Sequence, residues 1–377
     1  MTADSLPDQS VGTGQPAPMV RFFGWITLGV LAAFFICNIL IVGWGFPPAR
    51  QALSGDLRSF VLVAIYVVGL ALAMTWVLRT SHRSLRHEAR AISDFNAYLI
   101  RACFFTVLFV GLVDAAIAFL RVEGMLDQFF PEDFARSLSR SRFVGPHIHV
   151  PLTVAAFVVA WFSRSLGFVW LALLIVLAEF LIVVSRFVFS YEQAFMGDLV
   201  RYWYAALFLF ASAYTLLEEG HVRVDVLYSG FGPRRRGRVN AIGSILFGMI
   251  TCWAIVLIGM GSAQAIINAP IRNFEISQSG PSGMFIKYQM AGFLAVFAIT
   301  MLIQFVSYLF QAVADARGIV VDLSEVLKID SSGIASLLEA FQSARKRGTD
   351  FVFAAAEDFV LRVLKLARLD MVFPVEE

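Results

Sequence analysis

Between residues 22 and 45 the chain carries no charged side chain, and this run restricts the fold more than any other feature. A bilayer core about 30 Å thick holds no water to satisfy a peptide group, so a run of about 20 apolar residues crosses it as a helix. More such runs follow, at 60–78, 102–120, 149–162, 167–184, 199–217, 241–265 and 284–310. The pattern predicts an all-α polytopic membrane bundle of about eight transmembrane helices. Composition points the same way: 59% of residues are hydrophobic and 15% charged, against roughly 45–50% and 25% in soluble domains. The run at 149–162 is short, and "SRS" at 163–165 barely separates it from the next. That pair reads either as a tight hairpin or as one bent element.

Lys and Arg in short loops mark the cytoplasmic side. "RTSHRSLRHEAR" after the second run and "HVRVDVLYSGFGPRRRGR" after the sixth are the basic clusters. Both fall inside if the N-terminus is inside, which makes both termini cytosolic. Residues 1–18, "MTADSLPDQSVGTGQPAP", lack the basic n-region of a signal peptide and read as a disordered cytosolic tail. The stretch 127–143 reads as an amphipathic helix on the outer surface or as a polar loop. Cys37, Cys103 and Cys252 lie within apolar runs without CxxC or Cys/His spacing, so they imply packing and no disulfide or metal site.

Asp114 and Glu179 sit inside apolar runs. A carboxyl there is costly and is expected to face protein or water, fixing helix packing or relaying an ion. No pair of Gly/Pro-broken spans recurs in matching halves, the mark of a translocator with a midplane pocket. Arg186 and Arg201 bracket the loop between the fifth and sixth runs, with Tyr191, Tyr202, Trp203 and Tyr204 where an interfacial aromatic belt belongs.

The segment 185–247, "SRFVFSYEQAFMGDLVRYWYAALFLFASAYTLLEEGHVRVDVLYSGFGPRRRGRVNAIGSILF", resembles the small membrane subunit of tripartite ATP-independent periplasmic (TRAP) transporters, the DctQ family. The resemblance rests on an Arg-Phe pair at a span end, Asp198 opening the next span, the aromatic run, and "GHVRVDVLY" before a basic linker. It implies a DctQ-like four-helix domain at 167–316, with 19–166 as an N-terminal extension of about four helices, in a bacterial inner membrane. It also implies partnership with a large permease subunit and a periplasmic substrate-binding protein, with no enzymatic activity and no cofactor. Arg186, Asp198, Trp203, Tyr204, His221, Arg223 and Asp225 are the candidate subunit-interface residues. "EEGHVRVDVLY" alternates Val222, Val224 and Val226 with Arg223 and Asp225, presenting one apolar face to the membrane or a partner. "PRRRGR" suits anionic lipid headgroups, and no base-reading element suggests nucleic acid.

Beyond residue 317 the texture changes to short apolar strands and amphipathic helices. "VVDLSEV", "IDSSGIASLLEA" and "ARLDMVFPV" together resemble a STAS domain lacking its opening strands. The resemblance makes Ser331 a phosphorylation candidate, with Asp330, Ser332 and Gly333 forming the helix cap and switch, and a cytosolic kinase or STAS partner as its reader. A helix N-terminus accommodates an added phosphate, although Asp330 or Ser331 serves equally as a plain cap. The expected function is a TRAP small subunit that scaffolds ion-coupled solute uptake. The alternatives are a membrane-tethered signalling protein with a phosphorylatable switch, or a SulP-type anion transporter.

Overall fold

The computed structural model describes residues 17–81, 83–164, 167–217, 228–277, 280–322, 329–346, 351–354 and 375–376. Helix α1 (Pro18–Trp44) opens with proline, whose missing N–H costs nothing in a first turn, and ends where Gly45 turns left-handed. Helix α2 (Leu57–Arg79) is capped by Asp56, which accepts from Ser59 N at 3.0 Å. The two helices form a hairpin whose backbones meet at Gly29 and Gly69. A Cβ on either glycine would lie within 2.9 Å of the other's carbonyl oxygen, so only glycine permits this approach.

Helix α3 (Leu85–Val122) starts at Ser84, which accepts from His87 N. Its 38 residues reach roughly 57 Å, well beyond a bilayer core, so its first turns project past the apolar zone. Short helices α4 (Leu126–Phe129), α5 (Glu132–Leu138) and α6 (Ser141–Val144) then cap one end of the bundle, with Leu126, Ala135 and Leu138 buried beneath them. This is the amphipathic option expected for 127–143, broken into pieces. Helix α6 runs through a π-helical turn, Gly145–His149, into α7 (Val150–Phe162). The fourth span is therefore longer than its apolar run. It is also separate from α8 (Phe168–Phe189), since α7 packs on α3 and α8 on α9 (Ala194–Leu217).

Helix α10 (Pro233–Gly243) continues through a π turn, Ser244–Met249, into α11 (Ile250–Met260). After the short α12 (Asn268–Asn273) comes α13 (Lys287–Arg317), the hub, packed against α1, α3, α9, α10, α11 and α12. Seven of the described helices are long and apolar enough to cross a membrane, one fewer than the run count. The exception is α9, which has the length, with 24 residues, but whose apolar character is diluted by Arg201, Tyr202, Trp203 and Tyr204.

Past α13, strand β1 (Ile319–Asp322) pairs in parallel with β2 (Phe351–Ala354), and β2 with β3 (Val375–Glu376), in the order β1-β2-β3. Helix α14 (Ser331–Lys346) covers β2 through Phe341, whose ring meets that of Phe351 edge-on at 5.8 Å. The second amphipathic helix, which "EDFVLRVLKLARL" at 357–369 predicts, lies outside the described residues.

Candidate functional site

The polar groups of the membrane region gather at three levels. At the end where α3 begins, Arg21 and Glu88 form a buried pair: Arg21 Nε reaches Glu88 Oε2 at 2.8 Å and Nη2 reaches Oε1 at 2.5 Å. Arg21 also donates to the Thr80 hydroxyl at 2.7 Å, so one guanidinium joins α1, α2 and α3. Nearby, Arg86 pairs with Asp315 at 2.7 Å.

Next along, α3 and α13 share a seam of buried polar side chains. Ser307 Oγ donates to Ala89 O at 2.7 Å and lies 2.8 Å from Ser93 Oγ. Gln304 Nε2 donates to Ser93 Oγ at 3.1 Å, and Asn96 Nδ2 to Thr300 O at 2.9 Å. Residues 93 and 96 on one helix and 300, 304 and 307 on the other keep helical spacing, so each set lines one face. In hydrocarbon these bonds replace water that is absent.

At the opposite end, two carboxylates hold the segment leading into α13. Asp198 on α9 accepts from Met284 N and from Ser277 Oγ, both at 3.1 Å, and its other oxygen lies 3.1 Å from Arg201. Asp114 on α3 accepts from the next amide, Phe285 N, at 2.7 Å. Arg121 completes the clamp by donating to Pro281 O at 2.7 Å and Gly283 O at 2.6 Å while lying over the Phe285 ring.

Asp114 also begins a buried chain of polar groups. Its Oδ1 lies 3.2 Å from His149 Nε2, within ion-pair range, although neither atom makes a hydrogen bond among the described residues. His149 Nδ1 is 2.8 Å from the Tyr288 hydroxyl, which accepts from Gln289 Nε2 at 3.2 Å; Tyr202 O–H donates to Gln289 Oε1. The Tyr288 hydroxyl thus stands between His149 and Gln289, linking α13 to the π turn that carries His149. At the rim, Tyr191 donates to Glu123 at 2.6 Å; burial first, then that bond and the carboxylate charge, push the phenol up to about 12.

Several candidate residues lie elsewhere than expected. Asp198 and Trp203, offered as interface residues, are turned inward: Asp198 is 4% exposed and Trp203 3%, with Trp203 Nε1 donating to Val107 O at 2.9 Å across Gly111. Tyr202 is likewise fully buried, so the aromatic run splits between core and surface, leaving Tyr204 outward. Arg186 is exposed and pairs with Glu192 at 3.3 Å. Asp114 faces protein, as a buried carboxyl must. Glu179 is not enclosed by the described residues: it lies on the exposed side of α8, because that helix packs through Leu171, Ile175, Ala178 and Ile182. His221, Arg223 and Asp225 fall outside the described residues. In the tail, Asp330 caps α14 by accepting from Gly333 N at 2.8 Å, and Ser331 and Ser332 are exposed in its first turn.

Sequence reasoning missed Arg21, Glu88 and His149, which lie at or beyond the ends of apolar runs, where a polar residue is ordinary. It also missed the α3–α13 seam. The available signal was the three- and four-residue spacing of small polar residues inside two otherwise apolar runs. A cavity of about 620 Å³ between α1, α2, α3, α7 and α13 is lined mainly by apolar side chains, among them Trp25, Leu31, Trp76 and Ile303, with Arg83 and Glu88 also in its wall.

Two family models match the chain. Residues 173–314 match the model for tripartite ATP-independent periplasmic transporters, DctQ component, which here spans α8 to most of α13. Residues 300–377 match the STAS domain, a match that starts inside α13, ahead of the boundary expected at 317. No solved structure matches this chain.

Proposed function

We propose that this multi-pass membrane protein is the small permease subunit of a TRAP transporter. In this reading it braces a large permease subunit, which carries out ion-coupled uptake of a small organic solute delivered by a periplasmic binding protein. The chain sits in a bacterial inner membrane with both termini cytosolic. The observation that carries the reading is the DctQ match over 173–314. The polar geometry supports it: Asp114, Asp198, Asn96 and Gln304 are each bonded to a neighbouring helix or loop, the arrangement of a rigid brace.

The test is reconstitution in proteoliposomes. Solute uptake should require this chain together with the large subunit and binding protein, and the chain alone should transport nothing. Flux through this chain by itself would overturn the reading.

A second role attaches to the tail, because Ser331 is exposed in the first turn of a helix whose cap, Asp330, is already in place. There a cytosolic kinase would add a phosphate to Ser331 and tune assembly or uptake. Intact-mass analysis of chain purified from active cells should then show a form heavier by one phosphate, absent in Ser331→Ala.

A further inference from the structure

Glu179 is a carboxyl inside an apolar span that the fold, among the described residues, leaves unused. It stands near the middle of α8, flanked by apolar residues on both sides. Among the described residues it has neither a hydrogen bond nor an ion pair. The helix is also the least enclosed of those long and apolar enough to span, with 11% of its apolar window buried. Its inward stripe, Leu171, Ile175, Ala178 and Ile182, follows four- and three-residue steps. Glu179 falls outside that stripe, in register with Val176 and Val183, which are 63% and 49% exposed.

A carboxyl facing hydrocarbon at mid-depth is unfavourable unless something covers it. Lipid headgroups begin about 15 Å away, half the core thickness, and a glutamate lacks the long stem by which Lys or Arg snorkels to the interface. A second copy of this chain on a twofold axis through the same face would set Glu179 against Glu179, acceptor against acceptor when ionised. The chemistry that fits is a donor at the same depth: the side chain of a cationic or amide residue on a transmembrane helix of a different polypeptide.

We propose that the Val176–Glu179–Val183 face of α8 is the docking surface for a transmembrane helix of the large permease subunit. That helix would present a cationic or amide side chain to Glu179. The proposal rests on the reading of this chain as a TRAP small subunit. Arg186, paired with Glu192 where α8 ends, marks the edge of the contact at the interface.

The experiment uses the full chain co-expressed with its large permease subunit. A photo-crosslinking residue at position 176 or 183 should join the two polypeptides, while one at Val67 on α2 should not. Glu179→Lys should lower recovery of the complex about tenfold, the change expected for one lost interhelical hydrogen bond, and Glu179→Gln should retain most of it. Undiminished complex in Glu179→Lys would overturn the proposal. So would crosslinks from 176 and 183 to a second copy of this chain or to lipid alone, a result that does not depend on how the charge variant folds. If the wild-type chain recovers no large subunit, the scaffold reading itself fails and takes this surface with it.

Discussion

Helices α13 and α8 are both long and apolar enough to cross a bilayer, yet 67% of the apolar window of one is buried inside the protein and 11% of the other. The difference lies in what their few polar residues do. Helix α13 directs Gln289 at Tyr202 on α9, and Gln304 and Ser307 at α3, and each of these bonds fixes the register of a helix pair. Helix α8 carries Glu179 with nothing opposite it. Apolar composition places a helix in the membrane, but in hydrocarbon it gives no preference for protein over lipid. The polar pattern and small residues decide which helices become core. Gly237 on α10 shows the second route: a Cβ there would lie 2.6 Å from Ala312 O, so α10 meets the α13 backbone directly.

If inward polar groups hold the bundle together, the largest loss should come from splitting the buried Arg21–Glu88 pair. Glu88→Leu leaves an uncompensated guanidinium among α1, α2 and α3. It should cost about 3–5 kcal/mol, while the double variant Arg21→Met/Glu88→Leu should recover most of that, since replacing both charges avoids the orphan. Thermal unfolding in detergent, followed by tryptophan fluorescence, measures both. A double variant no more stable than the single one would show that packing, rather than charge, ties these helices.

Asp114→Ala comes next. It leaves the buried Phe285 amide without its acceptor, at about 1–3 kcal/mol, and removes the carboxylate beside His149. Amide exchange at Met284 and Phe285 should accelerate, because the segment entering α13 loses one of its anchors. If exchange there is unchanged, Asp198 and Arg121 suffice to hold the segment.

These two sites show where the sequence was readable. Asp114 stands out because a carboxyl inside an apolar run is conspicuous, and its packing role follows from the cost of leaving it bare. Its partner does not stand out: Phe285 is 171 residues away and contributes a backbone amide, which no residue type announces. Glu88 was hidden by α3 itself, whose helix extends past the apolar run, so a residue that read as basic loop is helical and buried. Trp203 misled in the opposite direction. Indole belongs at interfaces by composition, but Gly111 opens space for it in the core, and that pairing becomes visible only once α3 and α9 are side by side. Spans follow from local sequence, whereas contacts between spans depend on register.

A smaller effect is expected in the soluble piece. Asp330→Ala removes the cap on the Gly333 amide and should cost about 1 kcal/mol of local helix stability. Hydrogen exchange in the first turn of α14 would report it, with no change in α13. Protection lost in both would mean that the two helices open as one unit, and that the membrane hub and the tail are coupled.

The smallest effect should come from the helix that makes the contrast. In detergent, where the micelle lets water reach Glu179, Glu179→Leu should shift the stability of the isolated chain by no more than about 0.5 kcal/mol, as exposed substitutions generally do. The carboxyl has no bond within this chain to lose, and leucine continues the apolar surface of Val176 and Val183. Near-neutrality here beside a clear loss for Asp114→Ala would establish that two carboxyls in apolar helices serve different masters, one this fold and the other something outside it. If Glu179→Leu instead destabilises the chain as much as Asp114→Ala does, the side chain is bonded inside the protein and α8 belongs with α13 in the core.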